Sequence, residues 1–216
     1  MNQKTNTQMS NNAVITAVTG KSDVSFDFCG VDDKETAINW GDGITETVKL
    51  SLKHSKKINH TYNDGVETHT ITITGEDAIT YFVCNFNQLT SLDVSENTKL
   101  IYLHCDHNQL TDLDVRKNTA LNYLYCDCNQ LTDLSVRKNT LLMLLCCHHN
   151  QLTDLKLNKN EELVYLYCDH NQLADLNIRK NKELTCLQCD NNKFNVLDVS
   201  KNKELTNFCF GSDNNI

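Results

Sequence analysis

Eleven cysteines and eight histidines, in a chain of 216 residues without proline, are the side chains best equipped for chemistry. Their densest run is Cys146, Cys147, His148 and His149, while His107, Cys128, His149 and His170 recur at intervals of 21 residues. Thiolate and imidazole together make good zinc ligands. Cys146 with His148 or His104 also has the composition of a nucleophile and its base. No glycine-rich oxyanion turn or third orienting group accompanies that pair, so the sequence reads as non-enzymatic.

The spacing decides how these residues are carried. Asn87, Asn108, Asn129, Asn150, Asn171 and Asn192 are each 21 residues after the last, and the units around them run without insertion from a degenerate copy at Ile79 to an incomplete one at Leu205. In the unit beginning at Leu100 the apolar positions are Leu100, Leu103, Cys105, Leu110, Leu113 and Val115, which predicts two short strands separated by an asparagine turn. One such unit has only its neighbours to pack on, so the array predicts a stacked solenoid of about six to seven coils at a strand spacing of about 4.8 Å.

Stacking turns equal positions into columns. Cys84, Cys105, Cys126, Cys147, Cys168 and Cys189 then form one inward column of small, reduced, hydrophobic side chains. The remaining Cys29, Cys128, Cys146, Cys186 and Cys209 read as scattered substitutions. The column of His107, Cys128, His149 and His170 spreads its members over about 15 Å, so no tetrahedral site can use all four, and neither metal nor cofactor is expected. Two asparagine columns, the one above and Asn97, Asn118, Asn139, Asn160, Asn181 and Asn202, read as structural ladders that satisfy the turns.

The unit LxxLxCxxNQLxxLDVxxN resembles bacterial leucine-rich repeats, in particular the irregular 21-residue class of surface proteins related to internalins and of Bacteroidetes repeat adhesins. The match covers residues 79–216, departing at Ile79, Phe194, Phe210 and Asp213, near the two ends. The resemblance implies a right-handed solenoid with a strand-lined concave face that recognises other molecules.

Alternation along the strand sends three further positions outward. These are Tyr81, Tyr102, Tyr123, Leu144, Tyr165 and Cys186; then Val83, His104, Tyr125, Cys146, Tyr167 and Gln188; then Asn85, Asp106, Asp127, His148, Asp169 and Asp190. Six of the seven tyrosines fall on this one face, which nothing in the repeat requires. Rigid, amphipathic tyrosines suit a recognition surface, so the ligand-binding face is assigned here, with a protein or carbohydrate partner favoured by the flanking aspartates if basic or rich in hydroxyls. On the opposite arc Asp112, Asp133, Asp154 and Asp175 run beside Arg116, Lys117, Arg137 and Lys138 and read as a solvated face.

Upstream the pattern changes. Residues 1–12 are polar and read as a flexible tail. Runs rich in β-branched and aromatic residues follow at 13–18, 24–28, 36–40, 44–52 and 68–74, which predict a β-sandwich over 13–75 ahead of the solenoid at 76–216. The segments INWGDGITE at 38–46 and HTYNDGVETHTITITG at 60–75 resemble the polycystic-kidney-disease (PKD) type of immunoglobulin-like domain, although the phenylalanine of its turn motif is missing. That resemblance implies a non-catalytic module with Trp40 as core anchor and Asp42 as turn former. The sandwich is expected to cap the first coil. The last coil shows no evident cap, so self-association or a continuing chain is expected there.

A net charge of −8 and a pI near 5.4 argue against nucleic acid as a partner. No apolar run predicts membrane insertion. The families resembled point to the cell surface or to secretion, while the missing signal-peptide core and the free thiols point to the cytoplasm as the alternative. The functional expectation is thus a binding or adhesion module, with a structural spacer, a Cys/His metal site and a thiol enzyme as the alternatives.

Overall fold

The computed structural model describes residues 13–75 and 78–211, so the tail expected over 1–12 lies outside it. The described residues contain strands and no helix: β1 (Ala13–Thr19), β2 (Asp23–Gly30), β3 (Glu35–Asn39), β4 (Thr45–Lys49), β5 (Lys56–Thr61), β6 (His69–Gly75), β7 (Ile79–Val83), β8 (Leu89–Asp93), β9 (Tyr102–His104), β10 (Tyr123–Tyr125), β11 (Leu144–Cys146), β12 (Tyr165–Tyr167), β13 (Cys186–Gln188) and β14 (Asn207–Cys209). No helix among them is therefore long and apolar enough to cross a membrane.

Alternation builds the first strands. In β2, Val24, Phe26 and Phe28 are buried while Ser25 and Asp27 are half-exposed, the period-2 pattern of a sheet with one covered face. The strands form two sheets ordered β4-β3-β6-β1-β8 and β14-β13-β12-β11-β10-β9-β7-β2-β5. Phe26 stacks on Trp40 across the two sheets at 5.8 Å, and the buried Trp40 indole donates to Glu46 Oε1 at 3.1 Å. Asp42 accepts from the Ile44 amide at 3.0 Å and lies 2.7 Å from His60 Nε2, closing the turn after β3. Gly41 has φ of +89°, and a Cβ there would meet the Thr70 carbonyl oxygen at 2.6 Å, so only glycine fits. The strand β5 was not expected: KKINHT buries only His60 fully and lacks an apolar alternation.

Both sheets run into the coils. β7 pairs antiparallel with β2 and parallel with β9, while β8 pairs antiparallel with β1. Phe82 of β7 packs on Phe28 at 5.1 Å and Phe26 at 5.5 Å, so one continuous core extends from Ile15 through Leu103 and Leu145 to Phe194.

From β9 onward each coil contributes a three-residue parallel strand in strict register, Tyr102 beside Tyr123, Leu144, Tyr165, Cys186 and Asn207. The inward cysteine column is fully buried, with free thiols. The expected second strand of each coil is not formed. Leu110, Leu113 and Val115 are buried as expected, but the LxxLDV segments meet through single bonds such as Gln130 N to Leu110 O at 2.8 Å. The 3-then-2 spacing of these apolar residues fills the core without the period-2 geometry a ladder needs. The exception is β8, where β1 supplies the partner.

The asparagine columns differ in completeness. Asn129 donates to the carbonyls of Cys105, Cys126 and Asp127 at 3.0 to 3.2 Å, and its oxygen accepts from Leu110 N. Asn139 donates to Val115 and Asn118 at 2.9 Å, but its side-chain oxygen has no partner, and the same holds for Asn118, Asn160, Asn181 and Asn202.

Candidate functional site

Strands of three residues can present only their two end side chains outward, so the register fixes which residues share the exposed face. Tyr81 and Tyr102 stack at 4.4 Å, Tyr102 meets Tyr123 at 6.1 Å and Tyr125 at 5.5 Å, and His104 lies 4.8 Å from Tyr125. Tyr165 and Tyr167 stand two coils further on, Tyr165 being 42% exposed. Between these two groups sit Leu144, half-buried, and Cys146, buried, so the tyrosines form two patches rather than one column. Antiparallel pairing extends the face onto β2, placing Cys29 beside Tyr81 and Asp27 beside Val83. No local sequence pattern signalled that extension, because it depends on a partner more than fifty residues away.

Phenol chemistry on this face is that of neutral donors. Burial raises the pKa of Tyr81, Tyr102 and Tyr125, and Tyr167 is pushed up to about 12 by burial and then by the Cys186 thiol. The hydroxyls therefore keep their protons at any physiological pH.

The acidic column differs from the expectation of free, exposed carboxylates. Asp106 and Asp127 are buried, 6% exposed each. Asp106 lies 2.6 Å from both His104 Nε2 and His107 Nδ1. Burial acts to raise its pKa, yet the two histidines outweigh it and the net shift is downward. Asp169 bonds His170 Nδ1 at 2.9 Å, and Asp190 accepts from Asn191 at 2.8 Å. The aspartates thus hold the neighbouring rings more than they face solvent. Gln188 and His148 are half-exposed, as is Asp190.

The column of His107, Cys128, His149 and His170 adopts the left-handed backbone, with φ of 50°, 51°, 49° and 51° in turn. Each is pinned by its amide, His149 N reaching Asp169 O at 3.1 Å. Rings stack along this column, His149 on His170 at 4.0 Å and Phe86 on His107 at 4.2 Å.

Cys128 and Cys146 each stand beside other donor groups. Three sets of donor atoms fall within 4.8 Å of one another: His107, Asp127 and Cys128; Asp127, Cys146 and His148; and His148, His149 and Asp169. They combine different repeat positions of adjacent coils, which is why a search down single columns misses them. The Cys146 thiol is held well above its usual pKa by burial first and then by Asp127, so it is no activated thiolate.

Residues 98–139 match the family described as leucine-rich repeats in two copies. The coils are similar to leucine-rich repeats of internalin-like type. A leucine-rich-repeat protein from Leptospira interrogans is similar to the chain at 27% identity with a TM-score of 0.58, over 61% of this chain and 37% of that one. The internalin InlF from Listeria monocytogenes gives 25% identity and 0.51, over 55% and 37%. The functional domain of InlJ from the same organism, described as including a cysteine ladder, gives 34% identity and 0.40, over 59% and 38%. The chain therefore spans less than two fifths of the length of these three similar proteins. Comparison with curated proteins gives no match.

Proposed function

We propose that this internalin-like leucine-rich-repeat chain is a non-catalytic binding and adhesion module that recognises a protein or glycan through its tyrosine-bearing strand face. The observation that carries the reading is the in-register grouping of Tyr81, Tyr102, Tyr123 and Tyr125 around His104. Neutral aromatic faces tipped with hydroxyl donors supply contact area at low entropic cost, and stacked solenoids offer such surfaces broadly. Residues 13–75 act as the amino-terminal cap, an immunoglobulin-like module of PKD type; the support is the passage of both sheets into the first coil. The kinship with internalins supports a bacterial surface or secreted location.

The test is a pull-down and glycan-array screen with the wild-type chain and a variant carrying Tyr123→Ser, Tyr125→Ser, Tyr165→Ser and Tyr167→Ser. Ligands captured by the wild type and lost by the variant, with unchanged circular dichroism, support the face. Retained affinity removes it, and the absence of any ligand favours a structural spacer.

A further inference from the structure

We propose that the chain binds one divalent transition-metal ion of the zinc class at the junction of its third and fourth coils, counting the degenerate coil at Ile79 as the first, with Asp127, Cys146 and His148 as ligands. The site lies beyond the docking role argued above and does not depend on it.

The repeat itself points to this place. On either side of the fourth coil the outward positions read Tyr123, Tyr125, Asp127 and Tyr165, Tyr167, Asp169, whereas within it they read Leu144, Cys146, His148. Its inward scaffold keeps the repeat at Leu142, Leu145, Cys147, Asn150, Leu152 and Leu155. On the strand face, a thiol at Cys146 stands where the flanking coils have tyrosine, and an imidazole at His148 stands where they have aspartate. Both lie beside the Asp127 carboxylate of the preceding coil.

Geometry fits a tetrahedral ion. Bonds of about 2.0 to 2.3 Å to oxygen, nitrogen and sulfur put tetrahedral ligands about 3.3 to 3.8 Å apart. Asp127 Oδ2 and His148 Nε2 already stand at 3.4 Å, and one donor atom from each of the three residues falls within 4.8 Å of the others. Rotamer adjustment at Cys146 closes the remainder. Three protein ligands leave a fourth position, which opens on the side of the half-exposed His148.

The electrostatics favour occupation. Asp127 is 6% exposed, and the His148 Nε2 nitrogen stands 3.4 Å from its Oδ2. The thiols of Cys146 and Cys128 each stand within 4.8 Å of a carboxylate oxygen of Asp127. His148 Nδ1 is buried without a hydrogen-bond partner. A dication bound by one carboxylate, one thiolate and one neutral imidazole is a neutral assembly, the condition a buried site requires. On binding, the S–Zn bond forms as the S–H bond breaks and the proton leaves to solvent.

The experiment uses the full chain without a histidine tag, reduced and stripped with chelator, titrated with Co²⁺ and then Zn²⁺. Expected are one equivalent of Co²⁺ with a thiolate-to-cobalt charge-transfer band and tetrahedral d–d bands, displaced by Zn²⁺, and a Zn²⁺-dependent rise in the denaturation midpoint. Cys146→Ser abolishes the charge-transfer band. Asp127→Asn and His148→Gln weaken binding by more than about 100-fold, beyond what loss of an outer-sphere partner costs. Cys128→Ser keeps the charge-transfer band, because Cys128 stands beside Asp127 without being a ligand. No saturable binding by the wild type, several weak equivalents, or a band that survives Cys146→Ser or vanishes in Cys128→Ser overturns the site.

Discussion

The side-chain oxygen of Asn129 accepts a hydrogen bond from the amide of Leu110, one coil earlier, at 3.0 Å. Removing it strands that buried amide, so Asn129→Ala is expected to cost about 1 to 3 kcal/mol. The same change at Asn139 strands nothing completely. Val115 O still accepts from Asn118 N and Asn118 O from Leu121 N, both at 3.1 Å, so Asn139→Ala should cost about 1 kcal/mol or less. Urea denaturation of the two variants checks the order.

Tyr102 touches the rings of Tyr81, Tyr123 and Tyr125, whereas Tyr165 is exposed. Aromatic pairs contribute about 0.5 to 1.5 kcal/mol beyond area burial, so Tyr102→Ala should destabilise by about 1 to 3 kcal/mol and Tyr165→Ala by much less. Equal losses in thermal unfolding would count against the packing described.

Thiol labelling at neutral pH should find Cys209 first, since it is the exposed cysteine among the eleven. Cys128, half-buried and pushed up to about 11 chiefly by burial, carries about one thiolate in ten thousand at pH 7 and should label slowly. Cys84, Cys105, Cys126, Cys146, Cys147 and Cys168 are buried with raised thiol pKa values and should label only after unfolding. Mass spectrometry after brief iodoacetamide exposure gives the ranking.

The depressed carboxyl of Asp106 sets an acid limb. A carboxylate whose folded pKa lies below its unfolded value contributes stability in full above the ordinary value of 3.8 and loses it as pH falls through the folded one. Asp106→Asn should therefore be less stable than wild type at pH 6 to 7, with the difference shrinking below pH 3.8. Denaturation midpoints across that range decide it.

Phe82 is fully buried against Phe26 and Phe28, joining the first coil to β2. Phe82→Ala should cost about 3 to 5 kcal/mol and should weaken the two-sheet unit and the coils together. Independent unfolding of the two parts, seen by tryptophan fluorescence at Trp40 and by far-ultraviolet dichroism, would contradict that coupling.

The columns were legible because a period of 21 makes each residue predict its spatial neighbours, as with Tyr102 beside Tyr123 or Asn108 above Asn129. What stayed hidden depends on contacts without period. The pairing of β2 with β7 joins Cys29 to Tyr81 across four intervening strands, and β5 pairs with β2 although KKINHT lacks the apolar alternation of a strand. Burial of Asp106 and Asp127 was missed because alternation tells which way a side chain leaves the backbone, not what folds over it. The convergence of Asp127, Cys146 and His148 escaped for a related reason: it joins the column of Asp127 and His148 to the column of Cys146 across neighbouring coils.

Backbone bonds between coils, such as Cys84 N to His104 O and Cys126 N to Cys146 O at 2.8 Å, run along the direction of stacking. Tension pulling the two ends of the array apart loads these bonds in succession, so the molecule should peel a turn at a time where a sheared sheet would rupture at once. Each step releases 21 residues, about 70 Å of slack at full extension. Under load the repeat is a ratcheted tether, lengthening in fixed increments while the remaining turns stay intact.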